Sequence, residues 1–184
     1  MAEEVSNFFI IDPSIIKEDK KALDRVKNNF LSLLEDPPLL ENSVKMVVIS
    51  PLLDLAGFYQ SPLRIETESS IEIKTEDEGL MIKGRIDVLV IKNRLWLLVI
   101  ESKRSDFSVT TAIPQALAYM IANPTVDQPT FGMICNGSEF LFLKAVHSSY
   151  ILYKTSRLFS LFNPNNDLYL VLELLKSLGS IIDA

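Results

Sequence analysis

The 184-residue chain carries one cysteine, one histidine and one tryptophan. A single cysteine, Cys135, excludes an internal disulfide framework and a cysteine zinc cluster, and its apolar surroundings predict a buried, inert thiol. The single histidine, His147, excludes a histidine-rich metal site and is expected at the surface after the last hairpin. No apolar run approaches the roughly 20 residues that a membrane span needs, and the opening MAEEVSNFF has no basic region ahead of an apolar segment. With 6 glycines and 9 prolines there is no linker, repeat or low-complexity tract. These absences predict one cytoplasmic globular domain over residues 1–184 with no membrane partner.

What is present is an ordinary apolar fraction, 48%, and an uneven distribution of charge. The net charge of −6 disfavours nonspecific attraction to a polyanion. Yet while residues 66–78, ETESSIEIKTEDE, hold six acids and one lysine, residues 83–104 hold six lysines or arginines against two acids. A basic island therefore interrupts an acidic protein.

Residues 14–35 have the apolar spacing of an amphipathic helix, with Ser14 as cap and Pro37-Pro38 as stop. A second helical pattern runs from Leu40 to Leu55, ending near Gly57, and Pro51 within it predicts a kink or a division. Alternation at Ile65, Ile71 and Ile73 predicts a strand, and TEDEG a turn. In SDFSVTTAIPQALAYMIANP, Thr110 or Thr111 caps a helix with Pro114 in its first turn and Asn123-Pro124 at its end. TFGMICNGSEFLFLKAV reads as a hairpin turning at Asn136-Gly137, SYILYKTSRLF as a further strand, and residues 164–181 as an amphipathic helix. The order predicts an α/β (α+β) domain with a central mixed sheet flanked by helices: residues 1–38 a helical extension, 39–145 the core, and 146–184 a strand and helix.

The most informative stretch is GRIDVLVIKNRLWLLVIESKR, residues 84–104. It reads as two strands, apolar on both faces and so central to the sheet, with Trp96 in the core and charges collected at one end. Strand alternation sets Arg85, Asp87, Leu89 and Ile91 on one face and Ile86, Val88 and Val90 on the other. A three-residue connection, Lys92-Asn93-Arg94, would pair Ile91 with Leu95 and set Asp87 opposite Val99, with Glu101 its diagonal neighbour on the same face. A two-residue connection would send Asp87 to the other face, so convergence requires an odd loop or a bulge.

Two carboxylates converging at a strand end are hard ligands suited to Mg²⁺ or Mn²⁺. Such an ion polarises a phosphoryl oxygen and acidifies a bound water, while Lys103, on the face of Glu101, would position that water or stabilise developing charge. Together they make a minimal apparatus for phosphodiester hydrolysis. Spacing alone fits equally well with ordinary ion pairs where a buried hairpin meets solvent. Gln115 and Tyr119 lie four apart on one helix face and could reach the metal end, or be an exposed amide and a core aromatic. Glu41 could approach the metal or merely solvate its helix; Glu66 and Glu68 could replace it or form a solvated edge. Lys92 and Arg94, at the hairpin tip, read as solvated turn residues, and Arg104 as a candidate phosphate contact.

GRID, an apolar strand, IESKRS and then QALAY together resemble the PD-(D/E)xK nuclease superfamily, and more narrowly the N-terminal nuclease domain of the restriction subunit of type I restriction enzymes. ENSVKMVVISPLLDLAGF resembles that family's first core helix and MICNGSEFLFLKA its late hairpin. The resemblance covers about residues 39–145 and departs from the motif at Ile86, where the superfamily name has proline. It implies a restriction endonuclease-like fold and a Mg²⁺- or Mn²⁺-dependent endonuclease acting on DNA. Asp87, Glu101 and Glu41 would be the metal ligands, and Lys103, Gln115 and Tyr119 would complete the catalytic set. No Gly-x-x-x-x-Gly-Lys-[Ser/Thr] loop occurs, so no nucleotide cofactor or ATP-driven motor is expected in this chain. A homodimer and an assembly with partner subunits both fit this reading, as do a noncatalytic DNA-binding or interaction subunit and a nuclease acting on RNA or on branched or damaged DNA.

Overall fold

The computed structural model describes residues 17–35, 38–74, 81–93, 95–125, 128–147 and 151–180. The expected Ser14 cap, Pro37, the turn at 75–79, Arg94 and the side chain of His147 lie outside this set. Helix α1 spans Lys17–Leu33. Helix α2 joins α-helical Glu41–Val44, π-helical Lys45–Ile49 and α-helical Ser50–Leu55. Strands β1 (Leu63–Lys74), β2 (Met81–Lys92) and β3 (Leu95–Ser102) follow. A 3₁₀ turn, Val109–Ala112, leads into helix α3, Ile113–Ile121. The chain ends with β4 (Thr130–Cys135), β5 (Glu139–His147), β6 (Ile151–Thr155), β7 (Phe159–Ser160) and helix α4 (Leu168–Ser180).

The seven strands form one sheet in the order β1-β2-β3-β4-β5-β6, with β7 also pairing β5. Among the described strands only β3 and β4 run parallel, joined by the crossover through α3, so the sheet is mixed as expected. Its two faces bury separate cores. Leu23, Val26 and Phe30 of α1, Val48 and Leu52 of α2, and Leu172 and Leu175 of α4 cover one. Ala116, Tyr119 and Met120 of α3 cover the other. This double cover is why the central strands read as continuous apolar runs.

Four local expectations change. First, α2 does not divide at Pro51. A wide turn closes between Ser50 N–H and the Lys45 carbonyl, one residue before the position where proline has no donor to give, and the helix passes through. It ends at Gly57, where Phe58 N–H bonds to the Leu53 carbonyl and Gly57 N–H to that of Asp54. Second, neither Thr110 nor Thr111 caps α3: the Thr111 hydroxyl donates to the Ser108 carbonyl at 2.7 Å, and the two threonines belong to the 3₁₀ turn. Third, Lys92 is not a solvated turn residue. It is 2% exposed, and its ammonium donates to the Gly179 carbonyl of α4 at 2.7 Å.

The fourth concerns register. Lys92 pairs with Leu95 and Ile91 with Trp96, so the connection has two residues, not three. A bulge then shifts the ladder, and beyond it Val90 pairs with Leu98, Leu89 with Val99 and Val88 with Ile100. Leu89, not Asp87, stands opposite Val99. Continued one step, this register sets Asp87 directly across from Glu101, closer than the diagonal that an unbulged three-residue loop would give.

Alternation through β2 also breaks at Asp87. Val88 and Val90 pack into the α1 side, whereas Ile86 joins Leu89 and Val99 on the α3 side. Strand β1 switches face in step: Leu63 and Ile65 pack on the first side and Ile71 on the second. Between them Glu68, flanked by the Thr67–Val88 and Ser69–Ile86 pairs, takes the left-handed φ of 56°. The sheet is thus re-aimed where its two acids face each other.

Candidate active site

Glu41, Asp87, Glu101, Lys103, Gln115 and Tyr119 line one depression. Asp87 sits at the switch in β2 and Glu101 near the C-terminal end of β3, with Lys103 just beyond. Asp87 Oδ2 accepts the backbone N–H of Ser102 at 2.8 Å, replacing a ladder bond with a side chain. The start of helix α2 is fixed beside this end by three hydrogen bonds to its backbone: Leu39 N–H donates to the Ser105 hydroxyl, Ser105 N–H returns to the Leu39 carbonyl, and the Ser102 hydroxyl donates to the Glu41 carbonyl. With Leu40 preceding it, the first turn of α2 has no side-chain cap, and the Glu41 carboxylate lies in the site instead.

On the α3 side a chain of contacts runs inward. The Gln115 amide donates to the Tyr119 hydroxyl at 2.9 Å, and Lys103 Nζ donates to Gln115 Oε1 at 3.0 Å and to Glu101 Oε1 at 2.6 Å. Tyr119 reaches this position because Gly84 lacks a side chain. A Cβ there would fall 2.6 Å from Tyr119 Cε1.

Glu101 is 2% exposed, and its Oε2 has no hydrogen-bond partner among the described residues. Burial pushes its carboxyl up to about 7. The Lys103 ammonium opposes this shift, and the carboxylates of Asp87 and Glu41 add to it. Desolvation therefore outweighs a close ion pair, and near neutral pH this acid exchanges its proton.

On the α2 side Lys45 Nζ bridges Asp87 Oδ1 at 3.0 Å and Glu68 Oε1 at 2.7 Å, and Arg85 Nε holds the second oxygen of Glu68 at 2.7 Å. Burial works against the charge on Lys45, yet the two carboxylates outweigh it and raise the ammonium above its usual range. Lys45 in turn holds Glu68 below the usual carboxylate range. Elsewhere, Arg104 pairs with Asp106, and Glu66 with Arg64.

These groups line two adjoining depressions. One of about 410 Å³ is bounded by Glu41, Arg85, Asp87, Glu101, Lys103 and Gln115. The other, about 640 Å³, shares Glu41, Arg85 and Asp87 and adds Lys45, Glu68 and Arg104. Among the described residues no three carboxylate, imidazole or thiolate groups are close enough to enclose an ion. The donor set is compatible with a small hard cation, since Mg²⁺ needs only one or two carboxylates and keeps its waters, and Glu101 Oε2 is an oxygen without a hydrogen-bond partner among the described residues. Lys45, Arg85 and Gly84 were not among the expected site residues. Lys45 stands four residues after Glu41, on the same helix side, which was a usable signal; Gly84 carried none until Tyr119 was placed.

A family model for the N terminus of the type I restriction enzyme R protein matches residues 17–149, well over half of the chain. The chain belongs to this family. A solved fragment described as an HsdR subunit of a type I restriction enzyme from Vibrio vulnificus YJ016 is similar at 20% identity with a TM-score of 0.47. That match covers 78% of this chain and 26% of the other, so this chain spans about a quarter of its length. No curated protein matches. Among the described residues no helix is long and apolar enough to cross a membrane.

Proposed function

We propose that the protein is a Mg²⁺- or Mn²⁺-dependent endonuclease that hydrolyses DNA phosphodiester bonds, in restriction or related DNA processing. The single observation that carries the reading is Glu101, a buried acid with one oxygen on Lys103, the other without a hydrogen-bond partner among the described residues, and a second carboxylate across the ladder. Asp87 and Glu101 would hold the ion, with Glu41 reaching it directly or through water. When bound, the ion supplies Lewis acidity toward a phosphoryl oxygen and acidifies a water. Lys103, fixed by Gln115, donates to the attacking water or to charge gathering on the phosphorane. The Tyr119 oxygen accepts from Gln115, which leaves its own proton free for a phosphate oxygen.

The test is cleavage of linear, supercoiled and single-stranded DNA with Mg²⁺, with Mn²⁺ and with EDTA. Metal-dependent cutting lost in Asp87→Ala and Lys103→Ala supports the reading. No cutting of any form, together with Mn²⁺ binding that Asp87→Ala leaves unchanged, refutes it. A second reading, a noncatalytic DNA-binding or interaction subunit, is favoured by the ion pair that already neutralises Asp87 and by the lack, among the described residues, of a closed set of metal ligands. Specific DNA retention without cutting, at any metal concentration, would select it.

A further inference from the structure

Both oxygens of Asp87 are in use. Oδ2 holds the backbone N–H of Ser102, which is locked into the sheet, and Oδ1 holds the ammonium of Lys45 at the end of a flexible stem. A divalent ion brought to Oδ1 would meet the Lys45 ammonium at the same oxygen, where like charges repel, and of the two partners of Asp87 the lysine is the one able to leave. It has somewhere to go, because the same Nζ is already 2.7 Å from Glu68 Oε1. Glu68 adopts a left-handed backbone at the point where two strands change face. A non-glycine residue held in that conformation is uncommon, and such positions collect at functional sites. Arg85 holds the far oxygen of Glu68, whereas Lys45 reaches Asp87.

We propose that Lys45 is the resident counter-cation of Asp87, a positioning residue that yields Oδ1 to a divalent ion and withdraws onto Glu68. The proposal rests on the metal reading above. In the metal-free protein Lys45 offsets the charge of Asp87 and holds its carboxylate in place. On loading, the ion takes over that charge, and the ammonium stays at the rim of the larger depression, which Arg85 and Arg104 also line.

The experiment measures Mn²⁺ affinity of the full chain by electron paramagnetic resonance of the free ion, for wild type, Lys45→Met and Arg85→Gln. Competition at Asp87 predicts that Lys45→Met binds about tenfold or more tightly, whereas Arg85→Gln, a cation of the same pocket off Asp87, gains less than about threefold. Equal gains in both variants overturn the proposal, because the effect would then be only the local field. Wild-type binding with no gain in Lys45→Met overturns it while leaving the metal reading intact; no binding by any of the three proteins removes both. A second measurement needs no variant: reductive methylation of the native chain, read at Lys45 by peptide mass spectrometry. Release from Asp87 predicts faster labelling with saturating Mg²⁺, and an unchanged rate in a chain that binds Mn²⁺ overturns the proposal.

Discussion

Glu101→Gln should stabilise the metal-free protein, and do so only when the pH is high. The carboxyl rises from a reference value of 4.5 to about 7 on folding, chiefly through burial. A folded-state pKa above the unfolded one means that the native state binds the extra proton between those values. Stability is therefore fully present below about pH 4.5 and is lost as pH rises through about 7. At about 1.4 kcal/mol per unit, the whole loss is about 3 kcal/mol, of which about 2 kcal/mol falls between pH 5.5 and pH 8. Glutamine keeps an oxygen for Lys103 and cannot ionise, so it removes that loss. The assay is urea unfolding in EDTA of wild type and variant at both pH values. With a slope of about 2 kcal/mol per molar urea, the midpoint difference between the proteins should grow by about 1 M from pH 5.5 to pH 8. Titrating groups that are not coupled to Glu101 cancel in this comparison. The same midpoint difference at both pH values would refute the argument that burial, not the Lys103 ion pair, governs this acid. Adding Mn²⁺ at pH 8 should then raise the midpoint of the wild type alone.

Three further outcomes are expected. Lys92→Met removes the donor from the Gly179 carbonyl near the end of α4 and should cost about 1–3 kcal/mol in urea unfolding, with no effect on Mn²⁺ affinity. Gly137→Ala should cost more than about 2 kcal/mol by the same measurement, since a Cβ would fall 2.2 Å from the Phe30 ring on a backbone at φ 94°. In Gly84→Ala the new methyl would push the Tyr119 ring off Gln115. If the hydrolytic reading holds, that variant should lose cleavage by about tenfold or more with Mn²⁺ binding retained, and Tyr119→Phe should show the same pattern more weakly.

Much of this architecture was legible from the chain because it follows from local patterning. Doubly apolar runs marked the central strands, and 3.6-residue spacing marked α1 and α4. The second helix was found; Pro51 was expected to kink or divide it, and the chain stays helical across it behind a π turn. Lys92 was misplaced for a different reason. Beside a turn, a lysine reads as solvated, and only the approach of α4 from a distant part of the sequence supplies a carbonyl that can hold its charge in a buried position.

The residue types of the candidate site were set by sequence: Asp87, Glu101 and Lys103 at one end of a hairpin, Gln115 and Tyr119 on one helix face, and Glu41 opening another. So was the condition for their meeting, an odd connection or a bulge. Which of those it would be was decided by tertiary structure, because a bulge between Val90 and Ile91 changes register without leaving a mark on periodicity. Tertiary structure also brought Lys45 to within 3.0 Å of Asp87 across 42 positions of chain. Sequence spacing sets which side chains a strand or helix can present together, and the approach of separate elements sets which charges then meet out of water.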